Sequence, residues 1–581
     1  MTFFAPDLVS LLRRRAAASP DAVAVDFLDS FGRCSETLTY DALHREACAV
    51  AGLLRSRASA GDRVVIAEPP GVRFVTAFFG ALYAQMIAVP VALPYGQKSA
   101  EAERLARLAR DCEAQVLLAP ADVATRLRAF PELYVFVDAA WIDIGARAGH
   151  DVQPESPDPE AIAFIQYTSG STGDPKGIAI RHRNVIHNAE RITRRCRLDA
   201  SSRALIWLPH FHDLGLVGGI VTPIYAGFPT SLMAPSSFIK RPLGWLRIIA
   251  DGRYTISGGP NFAYALCIEA FDPAKLADLD LTAWTCAFNC AEPVDVSVVE
   301  GFARTFAPWG FCTDASYPCY GMAESTLTIA SNSGRRAPLI RTVDAIVLEA
   351  EARATPPRSN GRTRSFVSVG QASPGQNLVI VDPERRAVLG DNQVGEIWTA
   401  DDSVAAGYWG RPEAADLAFR ATLPGYPGID FLRTGDLGFI ENGELFIAGR
   451  IKDCIIIDGR NVDPADIEAG IHVTLGAAIR AVAAFSVDRS DGRGERLVVA
   501  IEAERKHAAV DLQTVVRRAV SARQDLTVGE IILVPPGAIP RTTSGKVRRS
   551  SLRMLFLSGG LAQTVDSPGK DDTLAAAASG A

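Results

Sequence analysis

Residues 167–177 hold the side chains whose types and spacing point most directly to chemistry. The segment reads Tyr-Thr-Ser-Gly-Ser-Thr-Gly-Asp-Pro-Lys-Gly. Glycines let backbone N–H groups approach a ligand, hydroxyls donate to phosphate oxygens, and a lysine adds a mobile positive charge. The apolar run 161–165 in front of it predicts a strand that leads into the loop. We therefore predict a loop that binds nucleotide phosphates, with an ordinary polar surface loop as the alternative.

This loop differs from the Walker A pattern, which requires Gly-Lys-Ser/Thr after four intervening residues. Here Lys176 follows a proline, and Gly177 comes after it. Four further segments combine glycine with charged or aromatic residues, and they follow the loop along the chain at 320–324, 434–436, 449–453 and 540–546.

The elements that must position these residues alternate between strand and helix patterns. The pattern predicts helices over 41–54 and 74–82 and short strands at 63–67, 87–91, 115–119 and 134–137. Alternating strands and helices are typical of a doubly wound α/β layer with a mostly parallel sheet. Such sheets bind ligands at the carboxyl ends of their strands, where the loop at 167–177 would lie.

Bulk composition limits the class of protein. A chain of 581 residues is too long to fold around a single hydrophobic core, so we expect two or more domains. A net charge of −6 gives no electrostatic case for nucleic acid or for an anionic membrane. Ten cysteines without a Cys-x-x-Cys pair indicate reduced thiols and a cytoplasmic location. No run of 18 apolar residues occurs, so we expect no membrane span.

The five segments together resemble the adenylate-forming enzymes, which include acyl-CoA synthetases, adenylation domains of peptide synthetases and luciferases. The resemblance covers nearly the whole chain. Within this superfamily the chain is most similar to the fatty acyl-AMP ligases, on the residues at 209–216, 241–246, 257–264 and 289–294. The 45 residues between Glu324 and Gly370 agree with the insertion that these ligases carry. Two departures are present: Ala323 replaces the threonine common in the superfamily, a change that the ligase subfamily shares, and Cys290 replaces a glycine usual in these ligases.

The resemblance implies a domain organisation. We expect a large N-terminal adenylation domain over 1–449, built from doubly wound, mostly parallel sheets and a small β-subdomain, with an exposed insertion near 333–365. A hinge at 450–453, including Asp453, would precede a small mobile α+β domain at 454–558. The Gly/Ala/Ser-rich tail at 559–581 is expected to be disordered.

The implied reaction joins a fatty acid carboxylate to the α-phosphate of ATP and releases pyrophosphate. Both reactants are anions, so the site must position them and neutralise charge. Lys546 is the predicted principal catalytic residue, against a solvated surface lysine. Glu324 is predicted to act in catalysis by holding Mg²⁺, against a glutamate that favours a helix N-terminus. His212 is predicted to position the carboxylate, with His210 a weaker candidate and a structural histidine the alternative.

The nucleotide would contact a larger set of residues. Tyr320 would stack on adenine rather than serve only as a core tyrosine, and Asp436 with Arg450 would bind the ribose hydroxyls rather than form only a turn. The predicted ATP and AMP contacts are Thr168, Ser169, Gly170, Ser171, Thr172, Gly173, Lys176, Asn289, Ala291, Glu292, Tyr320, Gly321, Met322, Asp436, Ile447 and Arg450.

The acyl chain requires an apolar tunnel. The glycine- and aliphatic-rich stretch 214–234 is the candidate wall, with plain core packing as the alternative for each residue. The predicted acyl-pocket residues are Leu214, Gly215, Gly218, Ile220, Phe262 and Tyr264.

The resemblance implies transfer of the activated acyl group to the phosphopantetheine of an acyl carrier protein. Two alternatives remain open at this point: a fatty acyl-CoA synthetase that uses CoA as acceptor, and a non-catalytic homologue that only binds adenylate. We also expect the insertion at 333–365 to contact the small domain and to limit its rotation between the two half-reactions.

Overall fold

The computed structural model describes ten stretches of the chain: 5–93, 99–136, 140–146, 152–169, 175–457, 460–488, 495–503, 512–524, 526–541 and 546–561. Two compact units are present. The first holds most of the chain up to Ala448, and the second combines residues 344–363 with the chain from Gly449 onward. The main boundary therefore falls beside the predicted hinge at 450–453.

A seven-stranded sheet carries the predicted phosphate loop. Five of its strands are parallel, and the loop joins the last of these to an antiparallel strand. Val64 and Ile66 face one core whereas Val65 faces another, so both surfaces of the sheet are covered. Its strands, in spatial order, are Gly407–Tyr408, Pro175–Arg181, Ile162–Ser169, Ile87–Pro90, Arg63–Ile66, Val116–Leu118 and Ala140–Ile142.

A nine-stranded sheet forms the second layer of the first unit. Its central strands are parallel, and antiparallel pairs close both ends. The strand order is Gln371–Ala372, Thr328–Ser331, Ser316–Gly321, Cys286–Asn289, Ile256–Gly259, Ala204–Ile206, Thr230–Met233, Val23–Leu28 and Cys34–Thr39. The predicted doubly wound, mostly parallel architecture is confirmed.

The largest hydrophobic core contains residues from both of these sheets and from the helices that join their strands. The α-helices of the first unit are Leu8–Ala18, Tyr40–Arg55, Val72–Tyr83, Ser99–Asp111, Ala121–Leu127, His182–Cys196, Thr222–Ala226, Pro235–Lys240, Pro242–Asp251, Asn261–Glu269, Val296–Phe306 and Pro412–Phe419. A π-helix spans Leu214–Val221, and short 3₁₀ turns include Ala323–Ser325.

A five-stranded antiparallel sheet completes the first unit and corresponds to the predicted β-subdomain. Its order is Ala387–Val388, Asn377–Asp382, Gly395–Ala400, Leu432–Glu441 and Glu444–Arg450. One face of this sheet buries Ile380, Ile397 and Leu445, and Tyr320 and Ile447 pack against that cluster. Two predicted nucleotide contacts therefore share one hydrophobic cluster.

The second unit is the small α+β domain that the sequence predicts. Its central sheet consists of Ala481–Asp488, Glu495–Glu502 and Val528–Val534, and a hairpin joins Ile455–Ile457 to Arg460–Val462. Alternating residues of the sheet enter two different cores, as Val482 and Ala483 illustrate. The helices are Ala345–Glu351, Pro464–Leu475, Leu512–Gln524 and Arg549–Leu557.

Three local expectations differ from the structure. The strand expected at 134–137 is wrong, because Pro131–Phe136 forms a 3₁₀ helix and the strand begins at Ala140. The insertion is not only an exposed loop, since strands Ile340–Asp344 and Thr363–Val367 flank the helix Ala345–Glu351, and residues 344–363 group with the second unit.

The predicted disordered tail also begins too early. Leu561 packs against a core of the second unit, and residues 562–581 lie outside the described residues. Within the described part of the chain, no helix combines the length and the apolar character needed to cross a bilayer.

Candidate active site

Several of the predicted nucleotide contacts lie at the carboxyl edge of the nine-stranded sheet. The parallel strands Cys286–Asn289 and Ser316–Gly321 pair with Phe288 opposite Tyr317 and Asn289 opposite Pro318. Parallel strands end at the same edge, so Asn289 and Tyr320 reach the same side of the sheet.

Tyr320 and Asp436 are joined directly. The Tyr320 hydroxyl donates a 2.7 Å hydrogen bond to Oδ2 of Asp436, which is buried. The Asp436 N–H donates to Oγ1 of Thr434 at 3.1 Å, and Gly435 adopts a φ of +72°, which favours glycine. The groups predicted to bind adenine and ribose are therefore held together, with Ile447 in the cluster beneath Tyr320.

Gly321 occupies a position where backbone passes close to backbone. A Cβ atom on this residue would lie 1.7 Å from the carbonyl oxygen of Leu327, so only glycine fits. Met322 follows it and packs, half-buried, on the main core. The tight turn directs the chain into the segment that carries Glu324.

Asn289 brings an unsatisfied acceptor to the same edge. Its Nδ2 donates to Oδ1 of Asn261 at 3.1 Å, while its own Oδ1 is buried with no hydrogen-bond partner among the described residues. A buried amide oxygen without a partner is costly, and an amino group of a ligand would satisfy it.

The residues after Asn289 form a strained turn. Ala291 adopts a φ of +72°, a region that non-glycine residues rarely occupy outside functional sites and turns. Cys290, the predicted departure from the family, is buried, and its N–H donates to the Gly259 carbonyl at 3.4 Å. Oε1 of Glu292 accepts a 2.5 Å bond from the N–H of Phe262, so Glu292 holds a helix start.

Glu324 lies in the short 3₁₀ turn Ala323–Ser325, and neighbouring segments fix this turn. Thr326 has a φ of +64°, is fully buried, and donates through Oγ1 to the Ser403 carbonyl at 2.6 Å. The Glu324 carbonyl accepts from the N–H of Ala405 at 2.9 Å. The Tyr408 hydroxyl donates to Oε1 of Glu324 at 3.2 Å.

The donor set at Glu324 suits Mg²⁺. Mg²⁺ is held by one or two carboxylates together with substrate phosphates rather than by a cage made only of protein atoms. Among the described residues no group of three or more His, Cys, Asp or Glu side chains could hold a metal. A single hard carboxylate, linked through Tyr408 to Lys176, fits this cation.

Thr168 and Lys176 face each other across the hairpin that encloses the predicted phosphate loop. Both are half-buried, and Nζ of Lys176 lies 5.1 Å from the ring centre of Tyr408. Lys176 is therefore fixed on a strand rather than on a mobile loop. The predicted contacts Gly170, Ser171, Thr172 and Gly173, and the side chain of Ser169, lie outside the described residues.

The two histidines occupy different environments. The His210 ring lies 4.1 Å from that of Phe74, and burial lowers the pKa of His210 to about 3, so this imidazole stays neutral. His212 is half-buried beside Phe211, and its carbonyl accepts from the N–H of Leu216 at the start of the π-helix. His210 has the environment of a core histidine, whereas His212 is more accessible.

An apolar cavity of about 60 Å³ lies beneath this edge. Leu214 and Gly218 of the π-helix line it, as do Phe288, Tyr317 and Cys319 of the two central strands. The other predicted pocket residues do not. Gly215 packs against the Pro209 carbonyl, and Ile220 is buried in the core. Phe262 packs edge-on against Trp207, and the Tyr264 hydroxyl donates to the Phe288 carbonyl.

The second unit carries the remaining predicted residues. Lys546 is exposed and precedes Val547, which bridges to Arg541. Arg450 is exposed, and its carbonyl accepts from the N–H groups of Asp453 and Cys454. Oδ2 of Asp453 lies 3.5 Å from Nη1 of Arg549.

One residue of this site escaped the prediction. Tyr408 contacts both Glu324 and Lys176 from a two-residue strand, Gly407–Tyr408. Its only sequence signal is a pair of aromatic residues between Gly407 and Gly410. The site therefore depends on a segment more than 80 residues after Glu324.

Comparison with known proteins identifies the family. A model of the AMP-binding enzyme family matches residues 12–409. The medium-chain-fatty-acid–acyl-carrier-protein ligase JamA of Moorena producens is 38% identical over 571 residues, which are 96% of this chain and 96% of that protein. The chain belongs to the fatty acyl-AMP ligases of this family.

Two further relatives support the assignment of the chain to this family. The long-chain-fatty-acid–AMP ligase FadD26 of Mycobacterium marinum is 36% identical, with 95% of this chain and 97% of that protein covered. The crystal structure of the fatty acyl-adenylate ligase from L. pneumophila, in complex with acyl adenylate and pyrophosphate, matches with a TM-score of 0.75 and 35% identity. It covers 95% of this chain and 96% of that one.

Proposed function

We propose that this ligase activates a medium- or long-chain fatty acid with ATP and transfers the acyl group to the phosphopantetheine of an acyl carrier protein. One observation carries the proposal. Phe288 and Cys319 line the apolar cavity, and the next residues along the same strands, Asn289 and Tyr320, belong to the predicted nucleotide site. An apolar chain and a nucleotide can therefore meet at one sheet edge.

The first half-reaction forms the acyl-adenylate. The Tyr320–Asp436 pair would bind the nucleoside, and the Asn289 acceptor would satisfy an amino group of the base. Lys176 would bind the β- and γ-phosphates. Glu324 would hold Mg²⁺, which supplies charge neutralisation on the phosphates when bound.

The carboxylate of the fatty acid would enter beside His212, and Lys546 would neutralise charge that builds at the α-phosphate. An exposed lysine on a separate unit can serve in one half-reaction and leave for the next, because hinge residues absorb such movement. We propose Arg450 as a second ribose contact and Asp453 as the hinge.

The acyl group would occupy the cavity walled by Leu214 and Gly218. Its lining is largely aliphatic and aromatic, which favours an unsubstituted hydrocarbon chain over a charged or highly hydroxylated one. The substrate class is therefore a fatty acid rather than an amino acid.

The first experiment measures adenylation. Purified ligase, ATP and Mg²⁺ are incubated with fatty acids of increasing chain length, and pyrophosphate and acyl-adenylate are quantified. We expect both products in equal amounts with medium or long chains. A protein that binds ATP and releases no pyrophosphate with any chain would instead be the non-catalytic homologue.

The second experiment identifies the acceptor. The acyl-adenylate is offered CoA and a phosphopantetheinylated acyl carrier protein in separate reactions, and thioester products are separated by mass. We expect acyl-carrier-protein thioester and little acyl-CoA. Equal or greater acyl-CoA formation would favour the synthetase alternative.

We propose that the segment 344–363 contributes to this choice. Glu349 accepts from Nε and Nη2 of Arg460 at 3.1 and 2.7 Å and also binds Arg362. Both arginines donate to the Gln524 carbonyl. Since residues 343 and 364 continue into the first unit, these contacts would restrain the movement that CoA ligation requires.

We also propose that the enzyme works in the cytoplasm. All ten cysteines are free thiols, which suits a reducing compartment.

A further inference from the structure

Tyr408 is attached to two parts of the proposed site through its backbone. Tyr408 lies opposite Ile178, and Gly407 opposite Ala179, in an antiparallel pair with the strand that carries Lys176. The N–H of Trp409 donates to the Gly177 carbonyl at 2.7 Å, one residue beyond that lysine.

The same segment is bonded to the Glu324 turn. The N–H of Ala405 donates to the Glu324 carbonyl at 2.9 Å, and the Ser403 carbonyl accepts from Thr326 at 2.6 Å. Residues 403–409 thus join the phosphate hairpin to the carboxylate turn, although the two are far apart along the chain.

The Tyr408 side chain also connects these two segments, because it contacts a negatively charged and a positively charged side chain. Its hydroxyl donates to Oε1 of Glu324 at 3.2 Å, and the Lys176 ammonium lies 5.1 Å from its ring centre. Cations are attracted to aromatic faces at such distances. Phe419 packs edge-on against the ring at 5.1 Å and fixes its plane.

We propose that Tyr408 is a positioning residue that orients the Glu324 carboxylate toward the metal of MgATP and separates it from the Lys176 ammonium. This inference rests on the proposed function and deepens it. One aromatic side chain contacts both Lys176, proposed to bind phosphate, and Glu324, proposed to bind the cation. The two parts of the MgATP site would therefore keep a fixed relative position.

The test compares Tyr408→Phe with wild type in nucleotide binding without fatty acid. The variant keeps the ring and loses only the hydroxyl. A hydrogen bond to a charged group contributes enough that we expect about tenfold weaker MgATP binding by calorimetry. Binding of ATP in EDTA should be unchanged, because the hydroxyl acts through the metal ligand.

A matched control and a double variant complete the test. Tyr426→Phe alters a half-buried tyrosine packed on Phe431, outside the site, and should bind MgATP like wild type. Adding Tyr408→Phe to Glu324→Gln should cause no further loss of MgATP affinity. If Tyr408 had a purely structural role, Tyr408→Phe would lower MgATP affinity in both backgrounds and would also lower the melting temperature.

Two outcomes overturn the inference. One is wild-type MgATP affinity in Tyr408→Phe, and the other is equal weakening of ATP with and without metal. A wild-type protein that does not bind MgATP would instead refute the proposed function itself.

Discussion

At the residue scale, the two lysines predicted to act in the site occupy different environments. Lys176 is half-buried on a strand of the first unit, beside the Tyr408 ring, which suits a fixed phosphate contact. Lys546 is exposed on the second unit. A lysine that acts at the reacting phosphate in only one half-reaction suits an exposed position, since its compact charge sits on a flexible stem.

We predict that Lys546→Ala lowers acyl-adenylate formation by about 100-fold or more, as loss of a transition-state charge contact does. ATP binding should persist because Lys176, Tyr320 and Asp436 are unchanged. Pyrophosphate exchange measures the first effect and calorimetry the second. Lys275→Ala, which removes an exposed lysine paired with Asp272, is the control. Near-normal exchange in Lys546→Ala would exclude the catalytic role.

Gly218 is predicted to limit the length of the acyl chain. It lines the cavity, and a Cβ there would lie 3.2 Å from Leu327 and 3.5 Å from Leu214. Gly218→Leu should fill the cavity and move the preferred substrate to shorter fatty acids. Each excluded methylene costs about tenfold or more in kcat/KM.

Competition among fatty acids of different length measures this shift. Gly301→Leu serves as the control. A Cβ atom on Gly301 would lie 3.4 Å from Ile268, and Gly301 does not line the cavity. An unchanged chain-length profile in Gly218→Leu would show that the acyl group binds elsewhere.

At the element scale, the helix His182–Cys196 organises much of the site. Asn188 donates to the Ser325 and Thr328 carbonyls and accepts from the Thr328 N–H, so it clasps the turn that contains Glu324. Arg191 forms a buried ion pair with Asp401. This helix therefore positions the Glu324 turn and the segment that leads to Tyr408.

The first residue of this helix gives a prediction about pH. Nδ1 of His182 accepts from the Leu8 N–H at 3.4 Å, and burial lowers its pKa from 6.5 to about 4. Below pH 6.5, His182 binds a proton in the unfolded chain but stays neutral in the folded chain until the pH approaches 4. The stability contributed by a neutral His182 is therefore complete above pH 6.5 and is lost as the pH falls toward 4.

The difference in pKa corresponds to about 3 kcal/mol of the free energy of unfolding. Urea unfolding of wild type and His182→Asn between pH 4.5 and 8 tests this. The variant should be less stable at pH 8 and should lose less stability on acidification. Parallel pH profiles would show that His182 does not titrate on unfolding.

At the scale of the whole molecule, the segment 344–363 of the second unit is the part of the chain that we propose to influence acceptor choice. Glu349 is largely buried between Arg362 and Arg460, within a segment whose two ends continue into the first unit. Removal of one partner from a buried ion pair costs about 3 kcal/mol. A free-energy loss of this size is large relative to the weak interdomain contacts that usually limit domain movement.

We predict that Glu349→Gln allows acyl-CoA to form while acyl-adenylate formation stays at the wild-type rate. Glu351→Gln, at an exposed position on the same helix, should behave like wild type. Mass analysis of thioesters formed with CoA measures the result. If Glu349→Gln, and also deletion of 344–363, leave CoA ligation unchanged, the segment does not restrain the second unit.

The alternating strand and helix pattern determined the α/β architecture because burial on both sheet faces requires a continuous apolar run, such as Val64, Val65 and Ile66. The strand predicted at 134–137 was wrong because an apolar run shorter than five residues has no clear period, and Pro131 fixes a helical backbone angle at its start. The insertion was read as a loop from the stretch 353–364, which is rich in Arg, Ser, Thr, Pro and Gly, and the short, mostly apolar helix Ala345–Glu351 before it was missed.

The sequence by itself determined the order of the candidate groups: the loop at 167–177 is recognisable from its glycines, hydroxyls and lysine, and Glu324, Asp436 and Lys546 follow from the resemblance to the adenylate-forming enzymes. Only the tertiary structure decided which of them touch. The Tyr320–Asp436 bond joins residues 116 positions apart, and Tyr408 meets Glu324 across 84. Such contacts depend on how sheets stack, and side-chain packing between distant segments leaves no periodic signal in the chain.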